Sequence, residues 1–146
     1  MNASDIMTRH QVWACPETSD AQEVAAMMRD HNVGAIPVLD HMGRLEGIVT
    51  DRDLCCKLIA EGRPMDTPIY ELMSEPAYSV SPATSLLEIE SMMRRFRIRR
   101  LPVVDEAQAL MGFISISDIA AHCDTIEAEH DFVGVMETVS VVAGRH

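Results

Sequence analysis

The sequence contains no apolar run close to the roughly 20 residues that a helix needs to cross a bilayer. Its first ten residues are polar and charged, and they lack the apolar stretch of a secretory signal peptide. These absences argue against a membrane protein and predict a cytoplasmic location. The four cysteines show no Cys-x-x-Cys spacing, so we expect reduced, mostly buried thiols and no disulfide framework.

Signatures of catalysis are missing as well. The chain has no Gly-x-Ser-x-Gly, no Walker loop, no His-Glu-x-x-His and no cysteine with an evident base. We therefore expect no enzymatic activity. His122, Cys123 and His130 come nearest to a set of metal ligands, but their spacing matches no zinc motif and we predict no metal site. A small enzyme or metal sensor that uses this region is the least favoured alternative.

Cationic residues are few and unevenly placed. The 146 residues include 12 Lys and Arg against 23 Asp and Glu, a net charge of −11, which argues against nucleic acid as a partner. Five of the 12 cations lie within positions 94–100 with no acid between them. Such a patch can bind a small anion, although its first members can equally be a solvated helix end that answers the helix dipole. The five are Arg94, Arg95, Arg97, Arg99 and Arg100.

What the chain does contain is a pattern that occurs twice, 65 residues apart. The first copy reads VGAIPVLD at 33–40 and LEGIVTDRDL at 45–54, and the second reads IRRLPVVD at 98–105 and LMGFISISDI at 110–119. A repeat of this kind predicts two equivalent units, a functional surface between them and a ligand site that can occur twice. The predicted units are 1–62 and 63–124, followed by a tail at 125–146 that could form a helix or an added strand.

Each unit is predicted to run strand, helix, strand, strand, helix. In the first unit the strands are 11–14, 35–39 and 45–49, and the helices begin at capping residues Asp20 and Thr50. In the second unit the strands are 78–80, 101–104 and 110–114, and the helices begin at Ser85 and Ser115. Glu23 and Glu88 would complete capping boxes. Pro37 and Pro102 within strands favour edge positions or strand starts.

The buried face of each first helix is apolar at helical spacing. Paired methionines on these faces indicate a core or a contact between helices more than a cofactor site. Together with an apolar tail they predict a twofold homodimer. The face residues are Val24, Met27, Met28 and His31 in the first unit, and Ile89, Met92, Met93 and Phe96 in the second.

A Ser/Thr-x-x-Asp motif follows the last strand of each unit, as Thr50 to Asp53 and as Ser115 to Asp118. One interpretation is a capping box that satisfies backbone N–H groups at the helix start. The other uses the same geometry for a ligand, because a helix start attracts phosphate and a carboxylate there can accept both hydroxyls of a ribose. The local spacing leaves both interpretations open.

These paired motifs, in matching strand and helix patterns over roughly residues 3–123, resemble a tandem pair of CBS domains, also called a Bateman module. The resemblance implies an α/β fold of two β-α-β-β-α units, packed through their sheets about a pseudo-twofold axis. It also implies a regulatory module that binds an adenosine-containing ligand (AMP, ADP, ATP or S-adenosylmethionine) between the repeats and signals to an unidentified partner protein. No catalytic cofactor is implied. The runner-up is a ligand-free dimerisation scaffold with the same fold.

The resemblance also implies a role for each matching residue. Thr50 and Ser115 would contact phosphate, while Asp53 and Asp118 would hold the ribose hydroxyls. Arg99 or Arg100 would reach ligand phosphates from the position that Gly34 holds in the first unit. Segments 7–9 with Val33, and 73–75 with Ile98, would line the adenine slots, and their named members are Met7, Arg9 and Met73. Ile48 and Phe113 would form the floors or simply pack in the core, and Arg52 and Ser117 precede each aspartate.

Overall fold

The structure is a computed structural model that describes residues 1–9, 12–74 and 78–122. The predicted tail at 125–146 lies outside the described residues, as do Cys123 and His130. Within the described ranges no helix has the length and apolar character needed to cross a membrane.

Helices and short strands alternate along the chain, and the strands form two small sheets, which confirms the predicted α/β class. The elements are α1 (Ala3–Ile6), β1 (Cys15–Pro16), α2 (Ala21–His31), β2 (Ala35–Leu39), β3 (Leu45–Thr50), α3 (Asp51–Asp53) with a π-helical continuation (Leu54–Ile59), a 3₁₀-helical turn (Ile69–Glu71), α4 (Leu86–Phe96), β4 (Arg100–Val104), β5 (Leu110–Ser115) and α5 (Ile116–Ala121).

The described residues form two compact units that do not follow the order of the chain. The first-repeat unit comprises Trp13–Ala77 and Ala107–Leu110. The second-repeat unit comprises the described residues of Met1–Val12, Tyr78–Glu106 and Met111–His146. The N-terminal segment therefore packs with the second repeat. The sequence boundaries at 1–62 and 63–124 stay a prediction.

In the first-repeat unit, β2 lies between β1, which is parallel to it, and β3, which is antiparallel. Helix α2 begins at Asp20, which accepts a hydrogen bond from the Glu23 N–H at 2.9 Å in the predicted capping box. The inner faces of these elements form one apolar core, in which each buried aliphatic side chain contributes roughly 1.5–3 kcal/mol. The core includes Val24, Met28, Ile36, Val38, Val49, Leu54, Leu58, Ile69 and Leu72.

In the second-repeat unit, β4 and β5 pair, and α4 begins at Ser85, whose side chain accepts from the Glu88 N–H at 3.2 Å. The structure describes no hydrogen bond from the Ser85 N–H to the Glu88 side chain, which would complete the predicted capping box. The core draws on the N-terminal segment as well as on the repeat. It includes Ala3, Ile6, Met7, Val80, Ile89, Met93, Leu101, Val103, Ile114, Ile116 and Ile119.

The first strand of each unit differs from its prediction. Residues 12–14 are not in a strand, and β1 is Cys15–Pro16, which pairs with Val38 and Leu39. Residues 78–80 form no strand, and Val80 makes a single parallel bridge to Val103. The edge position predicted for Pro37 is also wrong, because β2 is the central strand of its sheet. The short β1 runs parallel to β2 and begins opposite Val38, one residue past Pro37, so the missing N–H is tolerated there.

The methionines and cysteines divide between core and surface. Met28 and Met93 are 8% and 0% exposed and belong to the cores of their own units, so they are not available as a contact surface. Cys15 is buried, and its burial, with a smaller contribution from the charge of Glu23, raises the pKa of the thiol to about 11. Cys55 and Cys56 are exposed, so the expectation of mostly buried thiols is wrong for them. Leu54 and Leu58 take the inward positions of that helical segment.

A glycine in each second hairpin strand lies under a methionine from another part of the chain. Antiparallel bridges join Ile48 to Ser74 and Thr8 to Phe113. A Cβ built on Gly47 would lie 2.7 Å from Met73 Sδ and 3.0 Å from the Ser74 carbonyl oxygen. A Cβ built on Gly112 would lie 2.7 Å from Met7 Sδ and 2.9 Å from the Thr8 carbonyl oxygen. Glycine at these positions is required by the close backbone approach.

We predict that Gly112→Ala lowers the free energy of unfolding by roughly 1–3 kcal/mol, the usual range for an overpacked core, because Met7 and the Thr8 carbonyl must move. Urea denaturation followed by circular dichroism measures this change. Met111→Ala, at the exposed neighbouring position, is the control and should change the stability by less than about 0.5 kcal/mol. A Gly112→Ala protein as stable as the native one would show that segment 7–8 does not pack on β5 in solution.

Candidate functional site

Ser115 and Asp118 are joined by three hydrogen bonds at the start of α5. Asp118 Oδ2 accepts from the Ser115 N–H at 2.7 Å and from the Ser115 hydroxyl at 2.9 Å. The Asp118 N–H donates to Ser115 Oγ at 3.2 Å. The capping box predicted from the sequence is therefore present. It uses one carboxylate oxygen and fixes the orientation of the other, Oδ1.

The N-terminal segment reaches that second oxygen. The Thr8 hydroxyl lies 3.4 Å from Asp118 Oδ1, although the two residues are 110 positions apart in the sequence. Thr8 also exchanges backbone hydrogen bonds with Phe113, at 2.9 and 3.1 Å. At 3.4 Å the hydroxyl contact is near the limit for a hydrogen bond, so Asp118 Oδ1 is only weakly engaged. The unit thus brings together segment 7–9, the residue proposed as the floor and the Ser-x-x-Asp motif.

Two arginines lie next to this motif along β4. Arg99 and Arg100 are exposed, and the Arg99 carbonyl accepts a hydrogen bond from the Ile116 N–H at 3.1 Å. This bond holds the backbone of Arg99 against the first turn of α5. Arg94 and Arg95 lie in the last turn of α4, where the guanidinium of Arg95 is 5.3 Å from the centre of the Phe96 ring. The fold therefore joins the backbone of Arg99 to the helix that carries Ser115 and Asp118, with Arg100 next in sequence.

The first-repeat unit has the same arrangement of backbone and motif. Asp53 Oδ2 accepts from the Thr50 N–H at 2.9 Å and from the Thr50 hydroxyl at 3.0 Å, and the Asp53 N–H donates to Thr50 Oγ1 at 3.1 Å. Ser74 pairs with Ile48 as Thr8 pairs with Phe113. The Gly34 carbonyl accepts a hydrogen bond from the Asp51 N–H at 3.0 Å. The Arg99 carbonyl accepts the equivalent bond from the Ile116 N–H in the second-repeat unit.

The two motifs differ in what contacts the remaining carboxylate oxygen. Lys57 Nζ lies 3.1 Å from Asp53 Oδ1 and also donates to the Leu72 carbonyl at 3.2 Å. The Asp53 side chain is 13% exposed. In the first-repeat unit an ammonium thus contacts the oxygen that a threonine hydroxyl approaches in the second.

The predicted adenine-slot pairs are grouped the wrong way round. We expected segment 7–9 beside Val33 and segment 73–75 beside Ile98, but Met7 belongs to the core on which Ile98 packs, and Met73 to the core on which Val33 packs. The backbone bridges decide this pairing, and a repeated sequence does not reveal which of two equivalent strands a segment will join.

The predicted site residues accordingly fall into two sets, one in each unit. In the first-repeat unit Arg52 is exposed, and in the second Ser117 is exposed while Arg9 donates to the Ser4 carbonyl at 2.9 Å. The first set is Val33, Gly34, Ile48, Thr50, Arg52, Asp53 and Met73, and the second is Met7, Arg9, Ile98, Arg99, Arg100, Phe113, Ser115, Ser117 and Asp118.

Three residues at these motifs were not singled out from the sequence. Thr8 and Ser74 lie inside the segments expected to line the slots, but nothing local marks their hydroxyl groups. Lys57 could have been found, because Asp53 and Lys57 have the i,i+4 spacing that brings side chains together on a helix.

The region considered for metal is only partly described. The His122 ring contacts the Asp118 carbonyl through Nδ1 at 2.8 Å, whereas Cys123 and His130 lie outside the described residues. Within residues 1–9, 12–74 and 78–122, no group of three or more His, Cys, Asp or Glu could hold a metal ion.

Comparison with known proteins agrees with the repeat. The CBS domain model matches residues 3–59 and 69–124. The CBS domain-containing protein YhcV of Bacillus subtilis is 39% identical over 121 residues, which covers 83% of this chain and 84% of that protein. The crystal structure of Hypoxic Response Protein I with two coordinated zinc ions has a TM-score of 0.76 at 34% identity and covers 84% of this chain and 98% of that one.

A further structure shares the fold at lower identity. CBSX2, solved in complex with AMP, has a TM-score of 0.73 at 24% identity and covers 82% of this chain and 93% of that one. This likeness concerns the fold alone. With both repeats matched by the family model, and with a relative of similar length aligned over most of the chain, the protein belongs to the CBS domain family and contains two CBS domains, a pair that forms a regulatory module.

Proposed function

We propose that the second-repeat unit binds a phosphorylated adenosine ligand, such as AMP, ADP or ATP, and that occupancy regulates a partner protein. One observation carries the proposal. Backbone bonds to Phe113 bring Thr8 from the N-terminal segment to Asp118, where Ser115 engages one carboxylate oxygen and leaves the other, Oδ1, with only the weak contact of the Thr8 hydroxyl. A carboxylate with a spare acceptor oxygen is suited to a ribose, whose two hydroxyls can both donate to it.

The neighbouring residues supply the other parts of such a ligand site. Arg99 and Arg100 carry the positive charge that a phosphate requires. The Ser115 hydroxyl, which donates to Asp118 Oδ2 in the cap, can turn its proton to a phosphate oxygen when ligand binds. Phe113 is half-buried and can offer an apolar surface to a purine ring, whereas Met7 is buried over the neighbouring Gly112. The net charge of −11 makes these arginines the favoured place for an anion. S-adenosylmethionine, which carries a sulfonium, would gain less from them.

We further propose that the module acts as a twofold homodimer. Large apolar side chains are exposed on the described surface, among them Ile59 at 72% and Leu87 at 68%. Exposed apolar area of this kind is often covered by a second copy. A change in the shape of the dimer on ligand binding would then signal to the partner protein.

The binding site is tested by a matched pair of capping serines. We predict that Ser115→Ala and Ser85→Ala each lower the free energy of unfolding by about 1 kcal/mol, because each removes a helix cap. Only Ser115→Ala should also weaken AMP binding in calorimetry, by roughly 0.5–1.5 kcal/mol for one lost hydrogen bond. Asp118→Ala should weaken it by roughly 1.5–3 kcal/mol, since that bond involves a charge. Equal AMP affinity in all four proteins would leave the motif as a cap alone.

The arginines are tested by charge selectivity. We predict that AMP binds more tightly than adenosine and that added salt weakens AMP binding, because a phosphate contact with guanidinium groups is screened by ions. Replacing Arg99 and Arg100 together by Gln should abolish the preference, whereas the same change at Arg94 and Arg95 should preserve it. A native protein that binds adenosine and AMP equally well would contradict the phosphate role.

The dimer is tested by light scattering. We predict about twice the chain mass of 16.2 kDa at micromolar concentration. Met93→Glu should unfold the protein instead of dissociating it, because Met93 is fully buried in its own unit and an unpaired charge there is costly. A native protein that stays monomeric at high concentration would contradict the homodimer. A folded monomer of the Met93→Glu variant would contradict the burial of Met93 within its own unit. Absence of binding to every adenosine ligand would favour the ligand-free scaffold.

A further inference from the structure

We infer that Lys57 closes the first-repeat unit to ligand by occupying Asp53, so that the chain binds one adenosine ligand and binds it at Asp118. This inference rests on the proposed function and specifies its stoichiometry. The sequence presents two complete Ser/Thr-x-x-Asp motifs and predicts two equivalent sites. The contacts of the two carboxylates make them different.

Asp53 has both of its oxygens engaged within the chain. Oδ2 accepts two hydrogen bonds from Thr50, and Oδ1 forms an ion pair with Lys57 Nζ at 3.1 Å. The attraction between an ammonium and a carboxylate that is mostly buried is stronger than the contact that a neutral hydroxyl makes. Ribose hydroxyls would have to displace the ammonium before they could use this oxygen.

Lys57 is held by a second contact that does not involve Asp53. Its ammonium donates to the carbonyl of Leu72 at 3.2 Å, and Leu72 is itself fully buried. Two acceptors from different parts of the unit thus hold Nζ, although the Lys57 side chain is 40% exposed, and displacing the ammonium breaks both contacts. The Asp53 side chain is 13% exposed, so solvent competes only weakly for its oxygens.

Among the described residues, no cationic side chain occupies the Asp118 carboxylate in this way. The residue that matches Lys57, 65 positions later, is His122. Its ring contacts the backbone carbonyl of Asp118 at 2.8 Å, not the carboxylate. The only described contact of Asp118 Oδ1 is the 3.4 Å approach of the Thr8 hydroxyl, a neutral group at the limit of hydrogen bonding. A ribose hydroxyl can replace or join this contact without separating an ion pair.

The charges near the two motifs also favour a phosphorylated ligand at Asp118 over one at Asp53. Arg99 and Arg100 of the second-repeat unit are matched by Gly34 and Ala35 in the first, which carry no charge. Asp51, at the position of Ile116, adds a carboxylate beside Asp53, and the neighbouring Arg52 offsets it. The first-repeat unit therefore gains no net attraction for phosphate that could compensate for the loss of the lysine bond.

Calorimetry with AMP on the full chain tests the inference through stoichiometry. The native protein should bind one AMP per chain, and Lys57→Met, which keeps an unbranched side chain but removes its ammonium group, should bind two. Lys57→Arg preserves a cation and should still bind one. Lys57→Gln is a second neutral variant in case Lys57→Met fails to fold, and circular dichroism and urea denaturation establish the fold of each protein.

A double variant assigns the added site. Asp118→Ala in a chain that keeps Lys57 should weaken AMP binding at least tenfold. Adding Lys57→Met to this Asp118→Ala chain should restore one AMP site. Two AMP molecules bound per native chain, or one bound to both neutral variants, would overturn the inference and leave the proposed function standing. No AMP bound by the native chain, with one bound by Lys57→Met, would keep the lysine block and overturn the proposed site at Asp118. No binding by any variant would overturn both.

Discussion

A segment from outside the strand and helix repeat lies across a glycine in each unit, and the candidate sites depend on this contact. Thr8 exchanges backbone hydrogen bonds with Phe113 beside Gly112, and Ser74 does so with Ile48 beside Gly47. Backbone can approach this closely only where no Cβ intervenes. In the second-repeat unit this contact also brings the Thr8 hydroxyl opposite the Asp118 carboxylate, which would otherwise serve only as a helix cap.

The cap and the ligand site are compatible uses of one geometry. The aspartate gives one oxygen to the hydrogen bonds that start the helix, so its position is fixed before any ligand arrives. A fixed carboxylate can accept ribose hydroxyls without losing conformational entropy at the moment of binding. The two interpretations of the motif that the sequence left open therefore do not exclude each other, and their difference lies in the other carboxylate oxygen.

That oxygen is where the two repeats diverge. In one unit it faces a threonine hydroxyl at 3.4 Å and in the other a lysine ammonium at 3.1 Å. An internal repeat can thus preserve backbone, cap and floor while a single helix position, Lys57 or His122, changes what the carboxylate can accept.

The sequence by itself determined the elements whose causes are local. The strands around Val38 and Val103, the caps at Asp20, Thr50, Ser85 and Ser115, and the apolar helix faces follow from spacing and side-chain chemistry, and the repeat identified the family. Tertiary structure alone decided which strand each distant segment joins, the short pairing of β1, the packing of Met28 and Met93 within their own units, and the approach of Thr8 to Asp118. These depend on contacts between residues as far apart as 110 positions, for which no local pattern exists, and two equivalent strands offer a segment the same hydrogen bonds until the whole core is packed.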